Sequence, residues 1–233
     1  MTYCFDVANI DWIREAKEIY PFNAFSMNPS IAARDLKGNN KSFAESVKEI
    51  WAEVGPNVDF HVQTVGVKAD DIIKDAYAIM AMVDDPNHKV HVKVNCYPEG
   101  YKAMKVLVKE GFVVTATAIA SVNQAMLAAE CGAEVAAVYV GRTDNISGDG
   151  IDVIRRTKQI FRAQGITATR VSGASIKTAH MVEQAALAGA DEVAIGYDVL
   201  KAISNHPLTS ACIDSFTADW QGLYGEGKLI HNL

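Results

Sequence analysis

The chain has 233 residues, of which 49% are hydrophobic, and it is long enough to bury a sizeable core. Its formal net charge of −6 argues against a nucleic-acid or membrane-surface partner, and no apolar run reaches the ~20 residues of a membrane-spanning helix. The four cysteines show no CxxC spacing and the N-terminus shows no signal peptide, so we expect a cytoplasmic protein with reduced thiols and no metal.

Short apolar runs alternate with longer amphipathic stretches along the chain. The predicted strands are 3–7, 22–27, 58–65, the run around Lys93, 112–116, 134–140, 167–171 and 192–196. The predicted helices are one that Asn9 caps and that ends at 19, one that begins at Pro29, and 42–54, 70–82, 98–109, 122–129, 150–164, 178–188 and 199–203. Alternating strands and helices indicate a parallel sheet, and eight such units predict an α/β fold, a closed (β/α)8 TIM barrel.

The rival arrangement is an open, doubly wound sheet, but no GxGxxG motif follows any predicted strand. Segment 210–233 is left over once the barrel closes, and it predicts an additional C-terminal helix with Phe216 and Trp220 on one face. We therefore expect a single barrel domain over 1–233, in which 210–233 is an extension that covers one barrel mouth or contacts another subunit.

The segment from His88 to Gly100 places a lysine in the middle of a valine-rich strand. Three valines form one face of this strand, and Lys93 lies on the other. One interpretation is an exposed edge strand with Lys93 in water. The other is a desolvated, partly neutral amine that attacks a carbonyl group to form a Schiff base.

In closed α/β barrels the reactive groups lie at the C-terminal ends of the strands. The polar residues at the predicted strand ends are Asp6, Ser26, Asn28, Gln63, Lys93, Asn95, Thr115, Thr117, Tyr139, Arg142, Ser172 and Ser175. They supply an amine, a carboxylate, a phenol and neutral hydrogen-bonding groups, without a cluster of histidines or cysteines. This set predicts amine catalysis on a carbonyl compound, in which the carboxylate and the phenol move protons.

Each of these residues also has a purely structural interpretation. Asp6 could cap the first helix or pair with Lys93. Asn28 could be a turn residue ahead of a proline. Gln63 and Thr117 could be polar groups that are hydrogen-bonded inside the barrel.

An anion site is predicted near the last strands. Small residues from 171 to 176 precede a helix and expose backbone N–H groups, on which Arg142 and Ser175 would close around a phosphate-like group. The alternatives are a loop ion pair between Arg142 and Asp144 and core packing of Tyr139.

Seven short motifs, in order along almost the whole chain, resemble the small-chain transaldolase family and, within it, the fructose 6-phosphate aldolase branch. They are CFDVANID at 4–11, NPSI at 28–31, HVKVN at 91–95, ATA at 116–118, YVGRTD at 139–144, GASIKT at 173–178 and DWQG at 219–222. The resemblance implies a (β/α)8 barrel, a Schiff-base lysine, no metal or other cofactor, and a ring-shaped homo-oligomer such as a pentamer or decamer. It also implies transfer or release of a dihydroxyacetone unit from a ketose phosphate.

The resemblance implies a role for each matching residue. Lys93 matches the Schiff-base lysine, and Asp6 matches the acid that contacts the amine and the substrate hydroxyls. Asn28 matches the residue that holds a dihydroxyacetone hydroxyl, and Thr117 matches the hydroxyl that orders the catalytic water.

Arg142 and Ser175 match the phosphate-binding pair of the family. Four departures surround the substrate: Ser26 begins a Ser-Met pair where the family has Thr-Thr, Asn95 lies where a proline-containing pair is usual, Gly173 replaces an alanine, and the loop at 141–150 is rich in glycine. These positions put the identity of the sugar in doubt, so its anion could be a phosphate or a sulfonate.

Two further positions favour one activity within the family. Gln63 matches a position where the aldolases have Gln and typical transaldolases have Glu, and Tyr139 matches a Tyr of the aldolases that is Phe in typical transaldolases. We therefore expect cleavage of a ketohexose 6-phosphate to dihydroxyacetone and a three-carbon aldehyde phosphate. The alternatives are a transaldolase, the same chemistry on 6-deoxy-6-sulfofructose, and a sugar-phosphate-binding protein without catalysis.

Overall fold

Eight parallel strands close into a barrel, as the sequence predicts. The computed structural model describes residues 1–38, 40–83, 85 and 89–233, so that His88 lies outside the described residues. The strands are β1 (Thr2–Asp6), β2 (Ala24–Met27), β3 (Asp59–Gln63), β4 (Val90–Asn95), β5 (Val114–Ile119), β6 (Val135–Tyr139), β7 (Arg170–Ala174) and β8 (Glu192–Ile195). Each strand pairs with the next in the chain, and β8 pairs with β1.

Helices alternate with these strands. They are α1 (Ile10–Ile19), α2 (Pro29–Asp35), α3 (Phe43–Val54), α4 (Ala69–Val83), α5 (Pro98–Lys109), α6 (Val122–Glu130), α7 (Val140–Asp144), α8 (Gly150–Gln164), α9 (Ala179–Leu187), α10 (Tyr197–Ser204) and α11 (Pro207–Tyr224), followed by a 3₁₀ turn at Ile230–Asn232. The predicted cap at Asn9 is confirmed, because its side chain accepts hydrogen bonds from Asp11 and Trp12. Within the described ranges, no helix is long and apolar enough to cross a membrane.

Two strands lie further along the chain than their composition predicts. β7 was expected at 167–171 and forms at Arg170–Ala174, where Gly173 and Ala174 have low strand propensity. Pairing with β6 on one side and β8 on the other holds these small residues in the sheet, since Gly173 is in register with Val138 and Val193. β5 likewise runs to Ile119 rather than ending at 116. Barrel closure thus overrides local propensity.

The barrel has an apolar outer face and an unusual lumen. Phe5, Phe25 and Phe60 are 0–1% exposed and pack between the strands and the surrounding helices. Inside the barrel, a separate buried cluster consists of small residues, with Tyr139 packed against it: Cys4, Ala24, Ala137, Ala174 and Ala194. Since branched apolar side chains usually fill such a lumen, the small ones leave space in the interior.

The C-terminal helix α11 does not pack into its own barrel. None of its 18 residues is buried, and Ile213, Phe216 and Leu223 are 58%, 68% and 73% exposed. Trp220 donates a hydrogen bond to the carbonyl of Lys228 at 2.8 Å, which ties the helix to the final turn. The predicted contact with another subunit stays a prediction.

Gly100, in the first turn of α5, lets this helix approach the end of β4 closely. A Cβ at Gly100 would lie 1.9 Å from the carbonyl oxygen of Asn95. We predict that Gly100→Ala lowers the free energy of unfolding by ~1–3 kcal/mol, because the helix must shift away from the strand that carries Lys93. Urea denaturation measures the change.

Gly222 in α11 provides the matched control, because a Cβ there has no neighbouring atom within 4 Å. Gly222→Ala should leave the stability unchanged or raise it slightly. Equal stability of the two variants would show that the approach at Gly100 does not constrain the fold.

Candidate active site

A cavity of about 490 Å³ opens at the C-terminal ends of the strands and descends into the lumen. Nine of the residues predicted from the sequence line it: Asp6, Ser26, Asn28, Lys93, Thr115, Tyr139, Arg142, Ser172 and Ser175. They come from six strand–helix units, and the barrel alone brings them to one place. The cavity lies where reactive groups of this fold are found.

Lys93 extends into this cavity from β4. The residue is only 6% exposed, and a closed barrel has no edge strand, which excludes the exposed-edge interpretation. Among the described residues, no hydrogen bond or ion pair to its amine is found. The amine is therefore enclosed in the barrel and faces open space rather than a carboxylate partner.

Asp6 lies at the end of β1, in register with Ser26 of β2. The hydroxyl of Ser26 donates a hydrogen bond to Oδ1 of Asp6. Both structural interpretations of Asp6 are wrong, because Asn9 caps α1 and no ion pair joins Asp6 to Lys93 in the described part of the chain. The carboxylate thus lines the cavity, and the Ser26 hydroxyl fixes its orientation.

Asn28 ends β2 and begins α2. Its Oδ1 accepts a hydrogen bond from the backbone N–H of Ile31 at 3.0 Å, and Pro29 occupies the first helical position. The cap uses the side-chain oxygen, Nδ2 forms no hydrogen bond with the described residues, and Asn28 lines the cavity. Asn28 therefore serves the helix and remains able to donate a hydrogen bond to a ligand.

The anion corner is built where α7 contacts the segment that follows β7. The backbone N–H of Gly141 donates to the carbonyl of Ser175 at 3.1 Å, and a Cβ at Gly141 would lie 2.5 Å from that oxygen. The Arg142 guanidinium lies 5.2 Å from the ring centre of Tyr139. The alternative ion pair with Asp144 is not found among the described residues, and Asp144 instead accepts a hydrogen bond from Gly150.

Sequence reasoning missed two cations at this rim. Arg34 of α2 and Lys177, just before α9, both line the cavity. Asp35 binds the Arg34 guanidinium and also accepts a hydrogen bond from the Ala8 backbone at 2.9 Å, which ties α2 to the end of β1. Their position after β2 and β7 was the available signal, because helix starts at that end of a barrel face the mouth.

Four predicted residues do not line the cavity. Gly173 faces the helix layer, where a Cβ would meet Ile154 and Val193. The other three lie near Lys93 at the strand ends: Gln63 of β3 is in register with Lys93, Asn95 follows it on β4, and Thr117 of β5 is in register with Asn95.

Gln63 donates a hydrogen bond from Nε2 to Oδ1 of Asn95 at 3.2 Å. The Oε1 atom of Gln63 and the hydroxyl of Thr117 are buried and have no hydrogen-bond partner in the described part of the chain. The interpretation of Gln63 and Thr117 as fully hydrogen-bonded core groups is therefore wrong.

The backbone is irregular at two points of the site. Ala118 and Ser175 both adopt left-handed conformations, with φ of 57° at each. The pairing of β5 with β6 shifts between Ala116 and Ile119, directly around Thr117. Such conformations are uncommon for residues other than glycine and tend to occur where a side chain or carbonyl must be placed for function.

Deeper in the lumen lie Cys4, His61 and Glu192, which the sequence does not bring together. Burial raises the pKa of the Cys4 thiol and that of Glu192, and it lowers the pKa of His61. The imidazole is therefore neutral at neutral pH. The sulfur, nitrogen and oxygen atoms of these residues lie within 4.8 Å of one another. They come from β1, β3 and β8, so no sequence spacing reveals them.

Comparison with known proteins identifies similar chains. The protein-family model described as "Transaldolase/Fructose-6-phosphate aldolase" matches residues 3–227. A probable transaldolase of Brachyspira hyodysenteriae is 35% identical over 97% of this chain and 100% of its own length. A probable fructose-6-phosphate aldolase of Streptococcus pneumoniae is 34% identical over 94% of this chain and 96% of its own.

A solved structure named "Native KDPGal structure" resembles the chain in fold. Its TM-score is 0.58 with 16% identity, over 85% of this chain and 84% of that one. At this identity the likeness concerns the barrel alone.

We predict that Arg142→Met weakens binding of inorganic phosphate about 10-fold, because a charged donor at the anion corner is lost. Isothermal titration of the protein with phosphate measures the change. Arg155→Met, which removes an exposed arginine of α8 that pairs with Asp152, is the control and should leave binding unchanged. Equal affinity in the two variants would place the anion elsewhere.

Proposed function

The chain belongs to the transaldolase/fructose-6-phosphate aldolase family, and on that premise we propose that Lys93 forms a Schiff base with the keto group of an anionic ketose. Members of this family are enzymes that transfer or cleave a dihydroxyacetone unit. The observation that carries the proposal is the buried amine of Lys93, in one cavity with Asp6 and with the Arg142–Ser175 corner.

The proposed reaction begins with the amine. An amine attacks a carbonyl only in its neutral form, and no carboxylate in the described chain forms an ion pair with Lys93. Attack on the keto carbon, followed by loss of water, gives an iminium ion. The bond between the carbons α and β to the iminium then breaks as its electrons move to nitrogen. The aldehyde leaves, and the three carbons that remain stay on Lys93 as an enamine.

Proton transfer is assigned to Asp6, Tyr139 and a water molecule. The two orphaned oxygens, Oε1 of Gln63 and Oγ1 of Thr117, lie on the strands that flank β4. Buried oxygens without a protein partner commonly bind ordered water, so this is the proposed position of the water that enters and leaves with the Schiff base.

We favour an aldolase over a transaldolase. The amide of Gln63 cannot titrate, whereas the phenol of Tyr139 lines the cavity. A phenol there can protonate the enamine, after which water releases free dihydroxyacetone. In a transaldolase the enamine would instead remain on the lysine until it attacks a second aldehyde.

The rim supports an anionic substrate terminus. Arg34, Arg142 and Lys177 surround the mouth together with Ser175, so a 6-phosphate with up to two negative charges is the favoured group. A 6-sulfonate, as in 6-deoxy-6-sulfofructose, carries one charge and remains the alternative. Assay of both ketoses with detection of the aldehyde product decides between them.

We also propose a homo-oligomer in the cytoplasm. Helix α11 has no buried residue and exposes Ile213 and Phe216, which suits contact with a second copy of the chain. All four cysteines are free thiols, as a reducing compartment would keep them. A pentameric or decameric ring stays a prediction.

We predict that borohydride, added in the presence of a ketose 6-phosphate, reduces one adduct per chain at Lys93. Lys93→Met should lose the adduct and on the order of 10⁴-fold in turnover, because no other amine attacks the carbonyl. Peptide mass spectrometry locates the adduct.

Lys177→Met is the matched control, since it removes the other lysine of the cavity. It should keep the adduct while binding substrate more weakly. A wild-type protein that binds the sugar and forms no adduct would support a binding protein without catalysis. An adduct at another lysine would contradict the assignment.

We predict that Tyr139→Phe lowers the release of free dihydroxyacetone by about 10²-fold, because protonation of the enamine loses its acid. Transfer of the same unit to an added aldose phosphate should fall much less. Both products are measured in one reaction by chromatography. If release and transfer fall equally, Tyr139 acts before the two paths separate, and the preference for an aldolase loses its support.

A further inference from the structure

The floor of the cavity, below Lys93, is polar and enclosed. Cys4, His61 and Glu192 point into the lumen from β1, β3 and β8 and are 1%, 2% and 3% exposed. All three also line the cavity, so the floor is continuous with the space that holds the Lys93 amine. The proposed function gives them no role.

His61 and Glu192 each have one polar atom in a hydrogen bond and one polar atom without a partner. Nδ1 of His61 lies 2.8 Å from the hydroxyl of Thr115, and Oε1 of Glu192 accepts a hydrogen bond from Ser172 at 2.9 Å. The remaining atoms, Nε2 of His61 and Oε2 of Glu192, are buried without a hydrogen-bond partner in the described chain. Cys4 adds a thiol that forms no disulfide.

We propose that Cys4, His61 and Glu192 bind a zinc ion in the barrel lumen. Sulfur, imidazole nitrogen and carboxylate oxygen are the usual ligands of zinc, and the three donor atoms already lie within 4.8 Å of one another. Small side-chain movements suffice to bring them to coordination distance. The fourth position would face the cavity and take water, as in zinc sites with three protein ligands.

The contacts behind the ligands suit such a site. Thr115 holds the ring of His61 through the nitrogen that the metal would not use, and Ser172 holds the carboxylate of Glu192 in the same way. Such outer contacts orient the ligands of natural zinc sites. A thiolate and a carboxylate together neutralise the doubly charged ion, which limits the cost of burying it.

A second group shares His61 but is less suited to an ion. Asp59, His61 and His91 also lie close together. The carboxylate of Asp59, however, already binds Arg170 at 2.6 Å and lies 3.5 Å from Nε2 of His91. Arg170 lies 3.8 Å from Glu192, beyond hydrogen-bond distance, and leaves that oxygen available.

The test uses the whole, tag-free protein, stripped of metal with a chelator under reducing conditions. It is titrated with Zn²⁺ by calorimetry and with Co²⁺ by absorption, because a cobalt–thiolate bond gives a charge-transfer band. The wild type should take up one equivalent, show the band, and unfold at a higher temperature with zinc. Binding of less than one equivalent would overturn the proposal.

Variants locate the ion. Cys4→Ser should abolish the band, and His61→Gln and Glu192→Gln should each weaken zinc binding by about 100-fold or more. Thr115→Val should weaken it by about 10-fold through the orientation of His61. Cys131→Ser, a change at a distant cysteine, and His91→Gln should keep the ion. Loss of the ion in His91→Gln, or a band that persists in Cys4→Ser, would overturn the assignment.

One measurement does not depend on how the variants fold. X-ray absorption of the zinc-loaded wild type should show one sulfur ligand together with nitrogen and oxygen ligands. A spectrum without sulfur would exclude Cys4 and the proposal with it. Because metal content is measured independently of turnover, failure here leaves the Schiff-base chemistry of Lys93 untouched.

Discussion

The site depends on the space that small side chains leave in the barrel lumen. Four alanines and Cys4 stand where a barrel of this fold usually carries branched apolar residues. Because closed strands exclude bulk water and the lumen is not filled, an amine on the inner face of β4 is both enclosed and reachable. An open sheet with the same residues would leave Lys93 either solvated or packed.

Burying polar and charged groups in the lumen costs free energy. Ion pairs at the N-terminal ends of the strands offset part of this cost. Arg170 lies 2.6 Å from Asp59 and 3.0 Å from Glu134, so charges from β3, β7 and the residue before β6 meet at the base of the barrel. Burial alone would raise the pKa of Asp59, but His91 and Arg170 outweigh it and hold the pKa below its usual range. Nε2 of His61 and Oε2 of Glu192, by contrast, have no hydrogen-bond partner among the described residues.

Close backbone contacts position the strand ends around this space. Gly100 brings α5 against the end of β4, and Gly141 brings the Arg142 turn against the carbonyl of Ser175. Ser175 and Ala118 adopt left-handed backbone conformations that a regular strand does not contain. The shape of the cavity rim therefore depends on close contacts between backbone segments as well as on the side chains.

Much of the fold could be predicted from sequence patterns, because each strand and helix buries one face with its own periodicity. The helix that follows Asn9, the helix from Pro98 to Lys109 and the lysine inside a valine-rich strand all follow from local pattern. Strand-end chemistry also follows, since every strand of a closed barrel ends at the same mouth. β7 was displaced because pairing with both neighbours outweighs the low strand propensity of Gly173.

Only the tertiary structure decided which of these residues meet. It places Lys93 and Asp6 in one cavity but turns Gly173 toward the helices, since alternate residues of a strand face opposite sides. It also brings together Cys4, His61 and Glu192, which are separated by dozens of residues along the chain. Distances across a barrel depend on closure and register, and no local pattern in the sequence encodes them.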